Sequence, residues 1–257
     1  MRHLELFAGI GGFRRAMDLL TQDHIMDFHC IGYSEIDAKA VKTYCANYHP
    51  EVDGELAMGD IVEFTSNKNN MDNLPQFDLV TGGFPCQTFS MMGKQAGFNE
   101  DRGQMFFHII DILAAKMPRY VLLENVKNLK SHDKGRTFAR IKQELEALGY
   151  QVFTDIFNTA QFHLPQTRNR LLIFATTEPV PADFEVQFTC DNIAVVFDQV
   201  YQDFGTYHYQ SVNDILSLEV DKKYFLSEKI KPTLLADGSA NFKSKSDINM
   251  SIARPLT

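Results

Sequence analysis

Apolar runs of strand length punctuate the first two-thirds of the chain, at His3–Phe7, Phe28–Ser34, Leu56–Met58, Phe77–Thr81 and Tyr120–Leu123. Each is too short for a helix, and all but the first are followed directly by glycine or an acid, the signature of a buried strand. Between them, Phe13–Leu20, Ala38–Tyr48 and Phe138–Leu148 carry apolar residues at helical spacing, the last closed by Gly149. Gln151–Asn158 and Arg170–Thr176 read as a β-pair. Strands separated by helices in this rhythm predict an α/β fold, a doubly wound and mostly parallel sheet. After Thr177 the texture changes: Glu178-Pro179-Val180-Pro181 looks like a linker, and the remainder is polar and poor in helical period. The pattern divides the chain into residues 1–177 and 178–257.

Composition narrows the class. At 257 residues, 44% hydrophobic and 23% charged, the chain suits one large globular α/β domain with a smaller addition. The start is no signal peptide, because its apolar stretch is short and broken by glycine. No run approaches the roughly 18 apolar residues of a membrane span. Four scattered cysteines without CxxC or metal-ligand spacing point to a reduced, cytoplasmic protein without structural zinc. The net charge of −8 is unevenly spread: residues 86–170 carry 12 basic and 8 acidic groups. A local basic patch steers phosphates even when the total charge is negative.

The chemistry gathers where strands end, the edge at which open α/β sheets bind ligands. Phe7-Ala8-Gly9-Ile10-Gly11-Gly12 is a glycine loop that lets a ligand approach the backbone, but it lacks the GxGxxG spacing of a dinucleotide site. Glu35 follows the second strand and Asp60 the third. A carboxylate after the second suits a ribose diol, and one after the third suits an adenine amine or a nearby nitrogen; with the glycine loop they outline an adenosyl pocket. Gly82-Gly83 reads as a turn delivering Pro85-Cys86-Gln87, in which proline sets the approach of a potential thiolate nucleophile. Glu124 ends the fifth strand behind Tyr120-Val121-Leu122-Leu123, partly desolvated and suited to act as an acid. Gln166-Thr167-Arg168-Asn169-Arg170 sets two guanidinium groups two residues apart, with forked donors for a carbonyl, carboxylate or phosphate. The long stretch Ser90–Gly103, with three glycines and no apolar period, reads as a lid over the thiol.

These pieces, in this order, resemble the cytosine-5 DNA methyltransferases, particularly the bacterial restriction-modification type. The matching residues are Phe7–Phe13, Glu35, Asp60, Gly83–Gln87, Gly93–Gly103, Glu124–Asn128, Ser131–Asp133 and the Gln166-x-Arg168-x-Arg170 set, spanning residues 4 to about 175. The resemblance implies a Rossmann-like S-adenosylmethionine-dependent fold, with S-adenosylhomocysteine as product and no metal. It implies a donor site of Phe7, Ala8, Gly9, Ile10, Gly11, Gly12, Glu35, Ile36, Asp60, Ile61, Pro85 and Met105. Duplex DNA is the implied partner, with Gln87, Ser90, Lys94 and Arg102 near it. Cys86 would attack carbon-6 of a flipped-out cytosine, Glu124 would donate to ring N3, and Arg168 and Arg170 would complete the site, Arg170 holding O2.

Two side chains depart from the family's pattern: Ile36 stands where some relatives have tryptophan, and Met92 where a small polar residue is usual. A larger departure lies at the end, where the family continues into a recognition segment and a Gly-Asn segment returning to the donor site. The expectation is a split enzyme completed by a second polypeptide, or a truncated chain; the recognition sequence is not legible. A non-catalytic donor- or DNA-binding remnant and a tRNA-methylating relative are the rival readings.

Overall fold

The computed structural model describes residues 1–85, 105–204, 209, 211–232 and 250–254. Within them the chain divides into two compact units, one of residues 1–157 and 169–193, the other of 158–168 and 194–257.

The first unit is built on the sheet. Its strands are β1 (Arg2–Leu6), β2 (His29–Ser34), β3 (Leu56–Ala57), β4 (Leu79–Gly83), β5 (Tyr120–Val126), β6 (Gln151–Asn158) and β7 (Asn169–Thr176). They lie in the order β3-β2-β1-β4-β5-β7-β6. Pairings are parallel from β3 through β5, and β7 runs antiparallel to β5. Starting at β1 and winding outward in both directions, this is the doubly wound sheet that the alternating pattern predicts.

The connecting helices are α1 (Gly12–Gln22), α2 (Ala38–Tyr48), α3 (Pro50–Asp53), α4 (Ile61–Ser66), α5 (Lys68–Asn73), α6 (Met105–Lys116), α7 (Arg136–Ala147), α8 (Phe184–Gln187) and α9 (Cys190–Phe204). Leu4, Leu6, Val80, Val121, Leu123, Leu171 and Ile173 from the strands bury against Phe106, Ile109, Ile112 and Leu113 of α6 and Ile141 and Leu145 of α7. Interior parallel strands are covered on both faces, which is why β4 reads as a continuous apolar run. Burying one such leucine or isoleucine side chain contributes about 1.5–3 kcal/mol. A smaller cluster of Ala8, Tyr33 and Tyr44 packs beneath the loop after β1.

Three elements differ from the sequence pattern. Gly82 and Gly83 continue β4 rather than turning, paired with Leu6 and Glu124 respectively. A Cβ on Gly82 would stand 3.1 Å from the Leu6 carbonyl oxygen, so close strand approach explains the glycine. β5 likewise runs on to Val126, held by its pairing with β7 down to Arg170. Third, α9 lies in a region that read as irregular. Its first N–H, on Cys190, donates to the Asp155 side chain of β6 at 2.7 Å, a cap supplied from 35 residues away.

The second unit ties distant segments together. Gln166 bridges to Ala253, whose carbonyl accepts the Thr167 N–H at 2.8 Å and whose own N–H donates to the Pro165 carbonyl at 2.8 Å. The Thr159 N–H and the Arg168 carbonyl close the 158–168 segment at 3.1 Å.

Candidate functional site

The carboxyl ends of β1, β2, β3 and β5 place the glycine loop, Glu35, Asp60 and Glu124 on one edge of the sheet. After β1 the chain turns sharply, with positive φ at Phe7 (53°), Gly9 (57°) and Gly11 (89°). Glycine meets that requirement at two of the three positions, and Phe7 carries the strain with its side chain packed on the core. Gly11 is also sterically fixed, since an added Cβ would lie 2.2 Å from the Tyr48 ring, whose hydroxyl donates to the Gly11 carbonyl at 2.7 Å. Above Gly9 and Gly12, by contrast, a Cβ would meet nothing within 4 Å. The loop is closed underneath and open on its other side.

Glu35 organises this edge. Its Oε2 accepts the Gly9 N–H at 2.7 Å, and its Oε1 accepts the N–H groups of Ile36 and Asp37 at 2.8 Å. Three of a carboxylate's four or so acceptor positions are thereby used, leaving capacity for a further donor. Ile10 and Ile36 flank it as large exposed aliphatics, at 61% and 71% exposure. Asp60 caps α4, its Oδ1 accepting the Val62 N–H at 2.8 Å. Ile61 is buried in the core, Ala8 is buried, Met105 opens α6 half-buried, and Pro85 is exposed.

Beneath the loop sits Glu5, which the sequence pattern does not single out. At 1% exposure its Oε1 accepts the Phe13 and Arg14 N–H groups at 3.1 and 3.3 Å, capping α1. Burial pushes its carboxyl up to about 7, against the opposing pull of those two N–H groups and the Arg14 charge. Arg14 pairs in turn with Glu55 and with Asp18, at 2.9 Å for the latter. The arrangement has a chemical consequence. The helix N-terminus that takes a pyrophosphate in dinucleotide sites is filled by a carboxylate here, so the loop suits a nucleoside ligand without phosphates.

At the far side of the edge, Glu124 and Arg170 meet. They come from paired strands, Glu124 opposite Leu172 and Val126 opposite Arg170, a diagonal that long side chains span. Arg170 Nε stands 2.5 Å from Glu124 Oε1, both side chains about a quarter exposed. Gly83 lies alongside, where a Cβ would come within 3.3 Å of Glu124 Oε2. Glu124 and Arg170 are therefore brought together at the exit of β4, three residues before Cys86. Arg168 belongs to the second unit, and its guanidinium has no hydrogen bond or ion pair among the described residues. Cys86, Gln87, Ser90, Lys94 and Arg102, with the Ser90–Gly103 stretch, lie outside the described residues.

Asn125 is a second residue whose role the sequence does not reveal. It is 2% exposed, and its Nδ2 donates to the Phe84 carbonyl at 2.7 Å while its Oδ1 accepts the Val126 N–H at 2.9 Å. A side chain of β5 thus pins the backbone of β4 just as it leaves the sheet toward Pro85. The other cysteines offer no comparable setting: Cys30 and Cys190 are buried, and burial pushes the Cys30 thiol up to about 12. No helix among the described residues is long and apolar enough to cross a membrane.

Comparison with known proteins identifies the family. The family model for C-5 cytosine-specific DNA methylase matches residues 1–255. The chain is similar to the Type II methyltransferase M.NlaX of Neisseria lactamica, 37% identical over 88% of this chain and 63% of the relative. It is similar to M1.ScrFI of Lactococcus lactis subsp. cremoris, 38% identical over 88% of this chain and 51% of the relative. The orphan methyltransferase M.Rho11sI of Bacillus phage rho11s is 33% identical over 89% of this chain and 46% of that protein. The chain thus spans about half to three-fifths of these relatives. Among solved structures, S. pombe Dnmt2 superposes with a TM-score of 0.63 at 21% identity, covering 90% of this chain and 64% of that one. Entamoeba histolytica EhMeth gives 0.62 at 19% identity, covering 91% and 66%. These two likenesses concern the fold, that of the methyltransferases. A family model matched across nearly the whole length, together with relatives this similar, makes the chain a member of the C-5 cytosine-specific DNA methylase family.

Proposed function

We propose that the chain transfers a methyl group from S-adenosylmethionine to carbon-5 of a cytosine in duplex DNA, with Cys86 as the nucleophile, within a restriction-modification setting. The observation that carries this reading is the Glu124–Arg170 pair beside Gly83, at the strand exit leading to Cys86. An acid and a guanidinium suited to the polar edge of a base meet there, on the sheet edge that also holds the glycine loop.

The donor site is supported by the loop's shape. Open space above Gly9 and Gly12, exposed Ile10 and Ile36, and spare acceptor capacity on Glu35 fit an adenosyl group. The carboxylate of Glu5 under α1 favours a ligand without phosphates. Phe7, Glu35, Ile36 and Asp60 would hold it. When bound, S-adenosylmethionine supplies an electrophilic methyl group on its sulfonium.

The chain's residues make carbon-5 able to accept that methyl. The Cys86 thiolate adds to carbon-6, and the ring's double-bond electrons move toward carbon-5 and N3. Glu124, protonated, gives its proton to N3, and Arg170 donates to O2, so the developing charge is met where it forms. With carbon-5 methylated, N3 returns its proton to Glu124, and transfer of the carbon-5 proton to a solvent base expels Cys86 as the thiolate and restores the carbon-5–carbon-6 double bond. The base must leave the stack to reach these groups.

The test is transfer of tritium from labelled donor to duplex DNA, by the chain alone and with a C-terminal fragment of one of its longer relatives. Incorporation that Cys86→Ser abolishes, with donor binding retained, is the expected result. A folded sample that transfers nothing under either condition overturns the proposal.

A further inference from the structure

The turn that follows Glu124 carries cations that the chemistry above does not use. Residues 127–130 form a 3₁₀ turn and residues 132–135 a second, joined to α7. Leu129 is fully buried and anchors the first turn, while Lys127, Lys130 and Lys134 are exposed. At three residues per turn, Lys127 and Lys130 lie on one line of the helix, about 6 Å apart along its axis. That is close to the spacing of successive phosphates on one strand.

Pairing separates these lysines from their neighbours. Arg136 is bonded to Asp133, Arg140 to Glu144 and Lys142 to Glu146, so the cations of α7 are each neutralised locally. Lys127, Lys130 and Lys134 take part in no ion pair among the described residues. In a chain of net charge −8, three exposed lysines that form no salt bridge among the described residues, within eight residues holding the single acid Asp133, are a concentrated positive surface. The loop also holds an unfavourable backbone: Asp133 and Lys134 are consecutive left-handed residues, at φ 50° and 58°. Its position matters most. Lys127 follows Val126, which pairs with Arg170, so the surface adjoins the Glu124–Arg170 pair. A strand that gave a base to that pair would carry its phosphates close to Lys127, at the start of this turn.

We infer that Lys127, Lys130 and Lys134 form a binding site for the phosphate backbone of duplex DNA. The inference rests on the proposed function for its choice of DNA, but it is tested by binding alone. The probe is a labelled duplex, titrated by fluorescence anisotropy without donor from 50 to 200 mM salt. Each phosphate no longer neutralised by a lysine reduces the slope of log K against log salt by about 0.9, so the triple Lys→Gln variant should be shallower by about 2.7. Its affinity at 50 mM should fall at least tenfold, with an unchanged thermal melt. Lys142→Gln, on the same helix-loop unit but paired with Glu146, should leave the slope unaltered.

An unchanged slope in the triple variant, an equal change in Lys142→Gln, or no salt-dependent duplex binding by the wild type would each overturn the inference. So would a larger loss on an RNA duplex of equal length than on DNA. The two proposals fail separately. Methyl transfer with an unaltered slope rejects only the lysine site; lysine-dependent binding without methyl transfer rejects only the catalytic reading.

Discussion

Replacing Asn125 with alanine would test whether β5 aims the nucleophile as well as supplying Glu124. The substitution removes the donor to the Phe84 carbonyl and the acceptor of the Val126 N–H, at 2.7 and 2.9 Å. Losing the hydrogen bond to the Phe84 carbonyl costs about 0.5–1.5 kcal/mol, and Val126 is exposed enough for water to replace the other bond. For a chain of this size that lowers Tm by roughly 1–6 °C. The functional effect should be larger than the stability effect. Pro85 follows Phe84 directly, and a displacement of about 1 Å at a reacting group costs on the order of a hundredfold in rate. The assay is single-turnover trapping on duplex DNA containing 5-fluorocytosine, at a temperature where the variant is folded. The amplitude reports the fraction of competent sites and the rate constant reports alignment. A merely structural role lowers the amplitude and leaves the rate constant alone. We expect the rate constant to fall at least tenfold with donor affinity unchanged; an unchanged rate constant, or an equal loss of donor affinity, refutes the reasoning.

Other substitutions address the donor loop and its supports. Gly11→Ala places a methyl group 2.2 Å from the Tyr48 ring at a backbone φ of 89°, and should abolish donor binding measured by calorimetry. Gly9→Ala, strained at φ 57° but meeting no atom, should weaken it less. Glu5→Gln should change the pH dependence of stability measured by urea unfolding. Glu5 is raised to about 7, so its native carboxyl binds the proton more tightly than the unfolded one, and its own contribution to stability falls as pH rises from about 4.5 to 7. His3, depressed by burial to about 3, acts oppositely, costing stability as pH falls below 6.5. The two nearly cancel between pH 4.5 and 6.5. Without Glu5 only the His3 dependence remains, and the variant should gain on the wild type by about 3 kcal/mol between pH 4 and 8. A constant difference across that range would contradict it.

What the sequence discloses and what it withholds follow a physical division. Strands buried on both faces announce themselves as apolar runs, and the acids and glycines ending them mark the functional edge without any knowledge of pairing. Glu35 and Glu124 are legible for that reason, and Arg170 from the two guanidinium groups set two residues apart in 166–170. The supports of the same edge are not. Asn125 reads as part of a strand terminus, and only the register of β5 on β4 shows its amide reaching Phe84. Glu5 looks like an ordinary polar position in a strand until α1 folds over it. Helix α9 begins on a cap borrowed from Asp155, and the second unit joins residues 165–167 to Ala253, across a separation that no local pattern encodes. Local chemistry is written in neighbouring residues; its scaffolding is written in partners far along the chain.

The central claim, that Cys86 becomes covalently bonded to the base it prepares, has a direct measurement. Incubation with S-adenosylmethionine and a duplex containing 5-fluorocytosine leaves no proton to remove from carbon-5, so the adduct cannot resolve. Mass spectrometry of the digested complex should find one methylated nucleotide attached to the peptide containing Cys86. Methyl incorporation into ordinary duplex DNA without any such adduct, or an adduct on Cys30, Cys45 or Cys190, would contradict the account.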